Sequence, residues 1–336
     1  MIFNYNCPQC GADLVYDPEV GKMLCHHCGY TEAVAEKEDV LKPQEAPKDE
    51  HYHCPSCGAQ LAIEQRSTST ICEYCGAPLI LGDRLQGIKR PLKLIPFKIG
   101  KKEVRAAFKK WCHNGRIAPA GFTSERNLSR LQALYVPYWL FDADVTADLQ
   151  ATATRIRTFT DGRYMVTETW FYNVFRELEL GYEHIDYDAA KSLDDNEMAK
   201  IAPYNYAELK DFATPYLAGF QSNQYDFTSS DLWPYIQKKI KGYSEDFARQ
   251  TISGYSSVAL RNFNIRFNRT SSTYTLMPLW FMEYRYGGKD YFFMMNGQTG
   301  KVIGKPPVSK GKIFLRFLLT FGITFAICLA LGVFLL

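Results

Sequence analysis

The sequence predicts an α+β protein with two tandem four-cysteine zinc ribbons, then a mixed body of helices and antiparallel sheet, then one C-terminal transmembrane helix. Three features predict this order: four Cys-x-x-Cys pairs within the first 75 residues, alternating strand-like and helical segments, and an uncharged apolar run at the end. With 336 residues, 46% of them hydrophobic, the chain is long enough for more than one packed unit. Its 39 basic and 36 acidic residues nearly cancel, which excludes a uniformly basic nucleic-acid coat.

The four cysteine pairs form an internal repeat with the spacing of metal ligands. The eight candidate ligands are Cys7, Cys10, Cys25, Cys28, Cys54, Cys57, Cys72 and Cys75. Fourteen residues separate the two pairs in each half, and the stretches CPQCGADL and CPSCGAQL agree at their Cys, Pro, Gly, Ala and Leu positions. Because Zn²⁺ takes four tetrahedral thiolates, this spacing predicts two structural zinc ions and favours them over four disulfides. His26 and His27 are alternative ligands, but the set of four cysteines is complete without them.

The predicted ribbons occupy residues 1–30 and 51–80. Each is too small to bury a core, so we expect its metal to supply much of the folding free energy. Between them, residues 31–50 contain seven acidic residues, three basic residues and two prolines. This composition predicts an acidic flexible linker.

The last segment, residues 313–336, is predicted to be a transmembrane helix. Residues 317–336 carry no charge, and twenty helical residues cross about 30 Å of hydrocarbon. Five basic side chains precede this run, at Lys301, Lys305, Lys310, Lys312 and Arg316. The positive-inside rule therefore predicts a single-pass cell-membrane protein with cytoplasmic N-terminal domains, in agreement with the reduced thiols that zinc requires. A stripe of small residues offers a packing face for oligomerisation through this helix: Gly322, Ala326 and Ala330.

The connecting segment, residues 81–116, concentrates positive charge. Residues 84–116 contain eleven basic residues and one acidic residue, Glu103. Within it, an amphipathic helix is predicted over residues 101–113, with one apolar face formed by Val104, Phe108 and Trp111. Three interpretations are open: contact with anionic lipid, contact with nucleic acid, or a solvated helix whose apolar face packs on its own domain. The ribbons themselves lack the basic face that phosphates require, which argues against nucleic acid and favours protein contacts.

The body, residues 117–308, reads as a mixture of strands and helices. Residues 134–142 read as a buried strand, and the alternation that follows predicts a hairpin that turns at Asp161-Gly162. A helix is predicted around residues 230–240, with Ser230 as its cap. Further strands are predicted over residues 256–267, 273–286 and 290–304, the last folded over Asn296-Gly297. Two Pro-x-Trp segments, at Pro137 and Pro278, suggest two related lobes.

The body contains none of the familiar catalytic motifs. His-Glu-x-x-His, Gly-x-Ser-x-Gly and a P-loop are all absent from the sequence. The lone Cys112 is expected to pack inside a helix interface. Asp142, Asp144 and Asp148 are close in sequence, and the first two, which lie two apart on a strand, are expected to pair with surface cations. We therefore expect a protein that is not an enzyme and has no catalytic residue.

Several segments together resemble the bacterial TFIIB-type zinc-ribbon membrane proteins. They are the paired CPxCG ribbons, LIPFK, FKKW, YVPYWLFDADV, PYNYAELKDFATPYLAGF and the NGQTGKVIG that precedes the terminal hydrophobic helix. Some members carry primosomal or helicase labels, yet no helicase motif occurs in this sequence. The resemblance implies a cytoplasm-facing membrane protein that works with a partner membrane protein and phage-shock protein A in envelope stress. The resemblance implies no catalytic residue, because the family has no established active site.

Two functional hypotheses follow. The first is a membrane-anchored adaptor that binds partner proteins and recruits a phage-shock-type stress protein to the membrane. The second is a membrane-tethered nucleic-acid-binding regulator that uses the basic segment. The low basic charge of the ribbons favours the first.

Overall fold

The computed structural model describes residues 2–36, 52–113, 118–119 and 122–335. Most of the predicted linker, from residue 37 onward, lies outside the described residues, as does Arg116 of the basic segment. The fold class is confirmed: two cysteine clusters at the N-terminus, a mixed helix and sheet body, and a C-terminal apolar helix.

The described residues form sixteen strands and five α-helices. The strands are β1 (Ile2–Phe3), β2 (Leu14–Asp17), β3 (Lys22–Cys25), β4 (Thr31–Glu32), β5 (Tyr52–His53), β6 (Gln60–Leu61), β7 (Ser67–Ile71), β8 (Pro78–Leu81), β9 (Lys93–Leu94), β10 (Gln132–Asp161), β11 (Tyr164–Asp188), β12 (Lys210–Asp211), β13 (Gln221–Asn223), β14 (Ser257–Tyr286), β15 (Lys289–Asn296) and β16 (Val302–Ile303). The α-helices are α1 (Lys101–His113), α2 (Glu125–Leu128), α3 (Asp195–Ile201), α4 (Ser229–Gln250) and α5 (Lys310–Leu335). Short 3-10 helices lie at Val34–Glu36, Gly82–Arg84, Gly87–Lys89, Tyr206–Glu208 and Thr214–Leu217.

Contacts divide the chain into two compact units. Unit 1 comprises Met1–Val136, Ser192–Gln224 and Leu276–Leu336. Unit 2 comprises Pro137–Lys191 and Tyr225–Thr275. Both predicted ribbons and α5 belong to unit 1, whereas the predicted body contributes to both units.

The strands of unit 1 join distant parts of the sequence. β1 pairs antiparallel with β8, so that Ile2 faces Leu81, and β8 continues antiparallel to β7. β7 pairs antiparallel with β13, which runs parallel to β10, with Leu134 opposite Gln221. β14, β15 and β16 form an antiparallel meander, and the predicted turn at Asn296-Gly297 is confirmed.

The amphipathic helix α1 lies where the sequence predicts it. Val104 and Phe108 are fully buried and Trp111 is 9% exposed. The ring of Phe108 packs edge-on against Phe293 with the centroids 5.2 Å apart, and Trp111 Nε1 donates to the Gly304 carbonyl (3.3 Å). The apolar face of α1 is thus occupied by its own unit, which supports the third of the three interpretations for this stripe.

An aromatic cluster centred on Phe97 forms the interior of unit 1. The Phe97 ring stacks on Phe220 with centroids 4.4 Å apart and meets Tyr135 and Trp280 edge-on at 5.0 and 5.7 Å. The Tyr135 hydroxyl accepts a hydrogen bond from the Phe97 backbone N–H (3.3 Å). Stacked and edge-on aromatic pairs stabilise a fold by more than the burial of their apolar area alone contributes.

Unit 2 is a sheet covered on one face by α4. β10 and β11 form a long hairpin whose turn at Asp161-Gly162 is confirmed, with Gly162 at φ +62°. The predicted alternation on β10 is also confirmed, and three of its four inward residues here are alanines: Ala147, Leu149, Ala151 and Ala153 are buried beside Ala248 of α4. Small side chains let the helix approach the sheet closely.

Two local predictions in unit 2 differ from the structure. Helix α4 is capped by Thr228 rather than Ser230, because Thr228 and Asp231 form a reciprocal capping box. The two strands predicted over residues 256–267 and 273–286 are one continuous strand, β14. The polar residues between them, 268–272, are exposed strand positions.

Helix α5 is long and apolar enough to cross a membrane, the only such helix among the described residues. The apolar side chains described between Ile313 and Leu331 are exposed, as Leu319 at 58% and Phe325 at 57% illustrate. The hydroxyls of Thr320 and Thr324 donate to carbonyls three and four residues earlier, at 2.8–3.0 Å. Since a lipid environment offers no other partners, this pattern suits a membrane-spanning helix.

We expect Gly297→Ala to destabilise the protein by about 1–3 kcal/mol, because the cluster around Phe97 has no room for another methyl group. A Cβ at this position would lie 2.6 Å from two Phe97 ring carbons and 2.8 Å from Pro278 Cβ. Thermal unfolding of the purified full-length chain measures the effect. Gly242→Ala is the matched control: nothing lies within 4 Å of its added Cβ, so on α4 it should stabilise by about 0.5–1 kcal/mol. Equal behaviour of the two variants would contradict the packing argument.

Candidate metal centres

The structure brings the eight predicted cysteines together in two groups of four. One contains Cys7, Cys10, Cys25 and Cys28, and the other contains Cys54, Cys57, Cys72 and Cys75. Within each group all sulfur atoms lie within 4.8 Å of one another. In both groups the first cysteine of each pair is buried and the second is exposed, so the sequence repeat is also a structural repeat.

Each cysteine pair sits on the same tight turn. The backbone N–H of Gly11 donates to the Cys7 carbonyl at 2.9 Å, and Gly29, Gly58 and Gly76 make the matching bond to Cys25, Cys54 and Cys72. All four glycines adopt φ between +76° and +78°. A side chain would strain this left-handed conformation, which explains the glycine after each second cysteine.

The sulfur positions fit a tetrahedral zinc ion. A Zn–S bond of about 2.3 Å places the ligands of a tetrahedron about 3.8 Å apart. The measured separations are 3.6 Å for Cys7 to Cys28 and 3.5 Å for Cys10 to Cys25 in the first group. In the second they are 3.7 Å for Cys54 to Cys75 and 3.9 Å for Cys57 to Cys72. A disulfide needs about 2.05 Å, so these distances exclude that alternative.

In each cluster the backbone favours the thiolate form of one buried cysteine, Cys25 or Cys72. The Cys28 backbone N–H is the main cause that lowers the pKa of the Cys25 thiol to about 6, against burial, which acts in the opposite direction. Burial raises the pKa of Cys72, but the backbone N–H groups of Cys75 and Tyr74 outweigh it and lower the pKa to about 7.

The exposed cysteines differ: the backbone N–H of Ala12 is outweighed by burial and the neighbouring thiols, which raise the pKa of Cys10 to about 12. Zinc binds cysteine as the thiolate, so metal binding would release the remaining thiol protons, and four cysteine ligands leave no open position. The two sites are therefore structural zinc sites, as the sequence predicts.

The first ribbon is docked on the aromatic cluster of unit 1. The Tyr16 backbone N–H donates to the Ala218 carbonyl (3.0 Å), and the Tyr16 hydroxyl donates to the Phe97 carbonyl (3.4 Å). The Tyr16 ring meets Tyr216 edge-on, with centroids 5.1 Å apart. Burial of this hydroxyl raises the pKa of Tyr16 above its ordinary range, so the phenol remains a donor. The metal thus organises a hairpin that belongs to the core of the unit.

The second ribbon contacts the rest of unit 1 through a row of buried side-chain hydroxyls, called here the hydroxyl seam. The Ser69 hydroxyl donates to the Phe220 carbonyl (2.9 Å) and contacts the Ser222 hydroxyl (2.9 Å). Thr68 also bonds to Ser222. The ribbons touch each other as well, since Asn4 Nδ2 donates to Ser56 Oγ (3.1 Å). Sequence reasoning missed this seam, because isolated Ser and Thr residues carry no signal of long-range pairing.

The other predicted positions lie outside the two clusters. Burial raises the pKa of the Cys112 thiol to about 12, so this thiol is protonated at neutral pH and packs as an apolar group. Asp148 lies 3.9 Å from Arg266, in a surface ion pair. Asp142 differs: it accepts from the His184 backbone N–H (2.9 Å) and the Ser271 hydroxyl (3.0 Å).

We expect the full-length chain to carry two zinc ions and the variant Cys54→Ser/Cys57→Ser to carry one, because each cluster supplies its own four ligands. Elemental analysis of the reduced, purified protein gives the stoichiometry. Cys112→Ala is the matched control and should retain both ions, because this buried cysteine belongs to neither cluster. A native chain without zinc, or a variant that keeps two ions, would contradict the assignment.

Comparison with known proteins agrees with this geometry. The family model for the PriA DNA helicase Cys-rich region domain matches residues 7–32, which contain the first cluster. No solved structure matches the chain. A protein of Bacillus subtilis (strain 168), named uncharacterized protein YdjG, is 44% identical over 319 residues, which cover 94% of each chain. Since this similarity extends from the ribbons through the body, the chain belongs to the same zinc-ribbon family as YdjG.

Proposed function

We propose that the protein is a membrane-anchored adaptor without turnover of its own, whose cytoplasmic domains recruit a phage-shock-type stress protein to the membrane. The observation that carries the proposal is the union of both metal ribbons and α5 in unit 1. A surface built on such a unit is held near the bilayer by the anchor. An adaptor that recruits a protein to the membrane requires a binding surface at this position.

The closed metal sites support a binding role over a catalytic one. Catalytic zinc keeps an open position for water or substrate, whereas four cysteine ligands fill the coordination shell. The role of the metal is then to stabilise the ribbon fold.

Exposed apolar side chains on and beside the second ribbon offer a contact surface. Tyr74 lies between two zinc ligands and is 72% exposed, and Ile71 precedes the same turn. Ile88 and Leu92, a short distance along the chain, are 84% and 61% exposed. Aromatic residues of this kind dominate the binding energy of many protein interfaces.

Ion pairs within the basic segment argue against the alternative, a nucleic-acid-binding regulator. Lys93 pairs with Asp211 at 2.7 Å, and Lys98 pairs with Glu208 at the same distance. Arg105 pairs with Glu125 at 2.8 Å. These cations are partly neutralised within the protein, whereas phosphate binding depends on unneutralised charge.

The charges that flank the anchor support a cytoplasmic orientation of the domains that precede it. Lys310, Lys312 and Arg316 lie at the start of α5, and no acidic residue lies in its first turn. Positive flanks are retained on the cytoplasmic side. We infer that the ribbons and both units face the cytoplasm.

Deletion of residues 310–336 should release the protein from membranes, because it removes the apolar helix. Protease added to intact protoplasts should leave the ribbons uncut, since the positive flank keeps them inside. Fractionation and immunodetection of the ribbons measure both effects. Lysed protoplasts are the control, in which cleavage should occur. Cleavage of the ribbons in intact protoplasts would reverse the proposed orientation.

Loss of the protein should abolish membrane recruitment of the phage-shock-type stress protein. Tyr74→Ala should weaken recruitment while the zinc content stays at two ions, because the change removes an exposed contact and leaves the ligands in place. Fluorescence microscopy of the labelled stress protein measures recruitment. Tyr235→Ala, at a tyrosine of α4 that is 59% exposed, is the matched control and should have no effect.

Recruitment that persists without the protein would overturn the adaptor proposal. If the purified chain then bound DNA or RNA with a steep salt dependence, and Lys101→Glu/Lys102→Glu reduced that slope, the regulator would replace it.

A further inference from the structure

We propose that β11 pairs edge to edge with β11 of a second copy of this chain, antiparallel and about a two-fold axis at Tyr172, so that the protein forms a homodimer. The inference concerns unit 2 alone and does not depend on the adaptor function. It rests on the free edge of β11, the direction of its backbone groups and the symmetry of its side chains.

The outer edge of β11 has no strand partner among the described residues. β11 pairs with β10 from Tyr164 to Asp188, and no other described strand joins it. Soluble proteins usually shorten such edges or protect them with lysine and proline. β11 is 25 residues long and contains neither residue type.

Neighbouring hydrogen bonds show which backbone groups of β11 face outward. The Ser256 N–H donates to the Thr154 carbonyl (2.7 Å), and the Ile156 N–H donates to the Ser256 hydroxyl (2.9 Å). Thr154 and Ile156 therefore direct their backbone away from β11, and the alternate residues of β10 direct theirs toward it. Because Arg155 lies opposite Trp170, the even-numbered residues of β11 bond to β10.

The odd-numbered residues of β11 consequently direct their N–H and C=O groups to the free edge. The Phe175 carbonyl agrees with this direction, since it accepts from Nη1 of Arg176 (2.8 Å) instead of a strand. Phe171 and Asn173 offer the same outward pair of groups. A strand that runs antiparallel to this edge would find a donor and an acceptor at every second residue.

The charges of β11 favour a second copy as that strand. Between Tyr164 and Arg176 the charged residues are Glu168 and Arg176. Each lies four residues from Tyr172, so a two-fold axis there places Glu168 of one copy opposite Arg176 of the other, twice. Arg176 is held in position by Thr251, which accepts from Nε (3.2 Å) and Nη2 (3.4 Å). Its guanidinium carries five N–H donors, so some remain for the carboxylate.

The apolar side chains are also complementary in this register. On the face shared with Glu168, Trp170 lies opposite Val174 of the second copy, which is 5% exposed and packs in the core of its own unit. On the other face, Phe171 lies diagonal to Phe175 of the second copy, within the reach of aromatic side chains. Phe171 and Phe175 are 73% and 65% exposed in the single chain, so pairing would cover them.

The test measures the mass of the zinc-loaded full-length chain by light scattering in detergent and by mass photometry in lipid nanodiscs. The mass of the native protein should be that of a dimer. Glu168→Arg and Arg176→Glu should each raise the dimer dissociation constant about tenfold or more, because each places like charges opposite each other twice. The double variant Glu168→Arg/Arg176→Glu should restore the dimer, which loss of folding would not allow.

Two further variants test the edge itself. Asn173→Pro removes an outward N–H without breaking a bond to β10, and should give a single copy. Glu177→Arg is the matched control: it makes the same charge change opposite Thr167 of the second copy and should leave the dimer intact. A native protein that is a monomer both in detergent and in nanodiscs overturns the proposal. So does a dimer that tolerates the single variants and Asn173→Pro, or one that the charge swap fails to restore.

Discussion

The buried ring of Phe97 is the contact on which the arrangement of unit 1 depends. Its neighbours come from widely separated parts of the sequence: Phe220 stacks on it, and Tyr135 and Trp280 meet its edges. Tyr16 of the first ribbon adds a hydrogen bond to its carbonyl. The close approach of Gly297 shows that the site is filled, so its geometry fixes where each of these segments lies.

Zinc and the aromatic cluster therefore act on the same structure at two levels. The metal closes each ribbon locally, where too few apolar residues exist to build a core. The cluster and the hydroxyl seam then join the ribbons to the unit, through Tyr16 and through Ser69. A ribbon without its metal would lose the turns that hold these residues in place, so metal binding and unit packing are coupled.

Local features of the fold and the metal sites could be predicted from the sequence, and long-range features could not. The cysteine spacing, the alternation on β10 and the apolar face of α1 are periodic patterns within one element, and each identified its element. The cap of α4 was misplaced by two residues, because Thr228 and Ser230 are both ordinary caps and the choice depends on Asp231. The pairing of β1 with β8 joins segments far apart in the chain and leaves no local pattern.

The free edge of β11 shows the same contrast. The composition of β11 alone predicts an ordinary strand, and Glu168 and Arg176, taken singly, do not indicate a dimer interface. Their relation appears only when the register with β10 shows which backbone groups face outward. β11 keeps a row of backbone groups and the aromatic rings of Phe171 and Phe175 in water. Solvent can satisfy those groups, but a symmetric partner would do so while also burying the exposed rings.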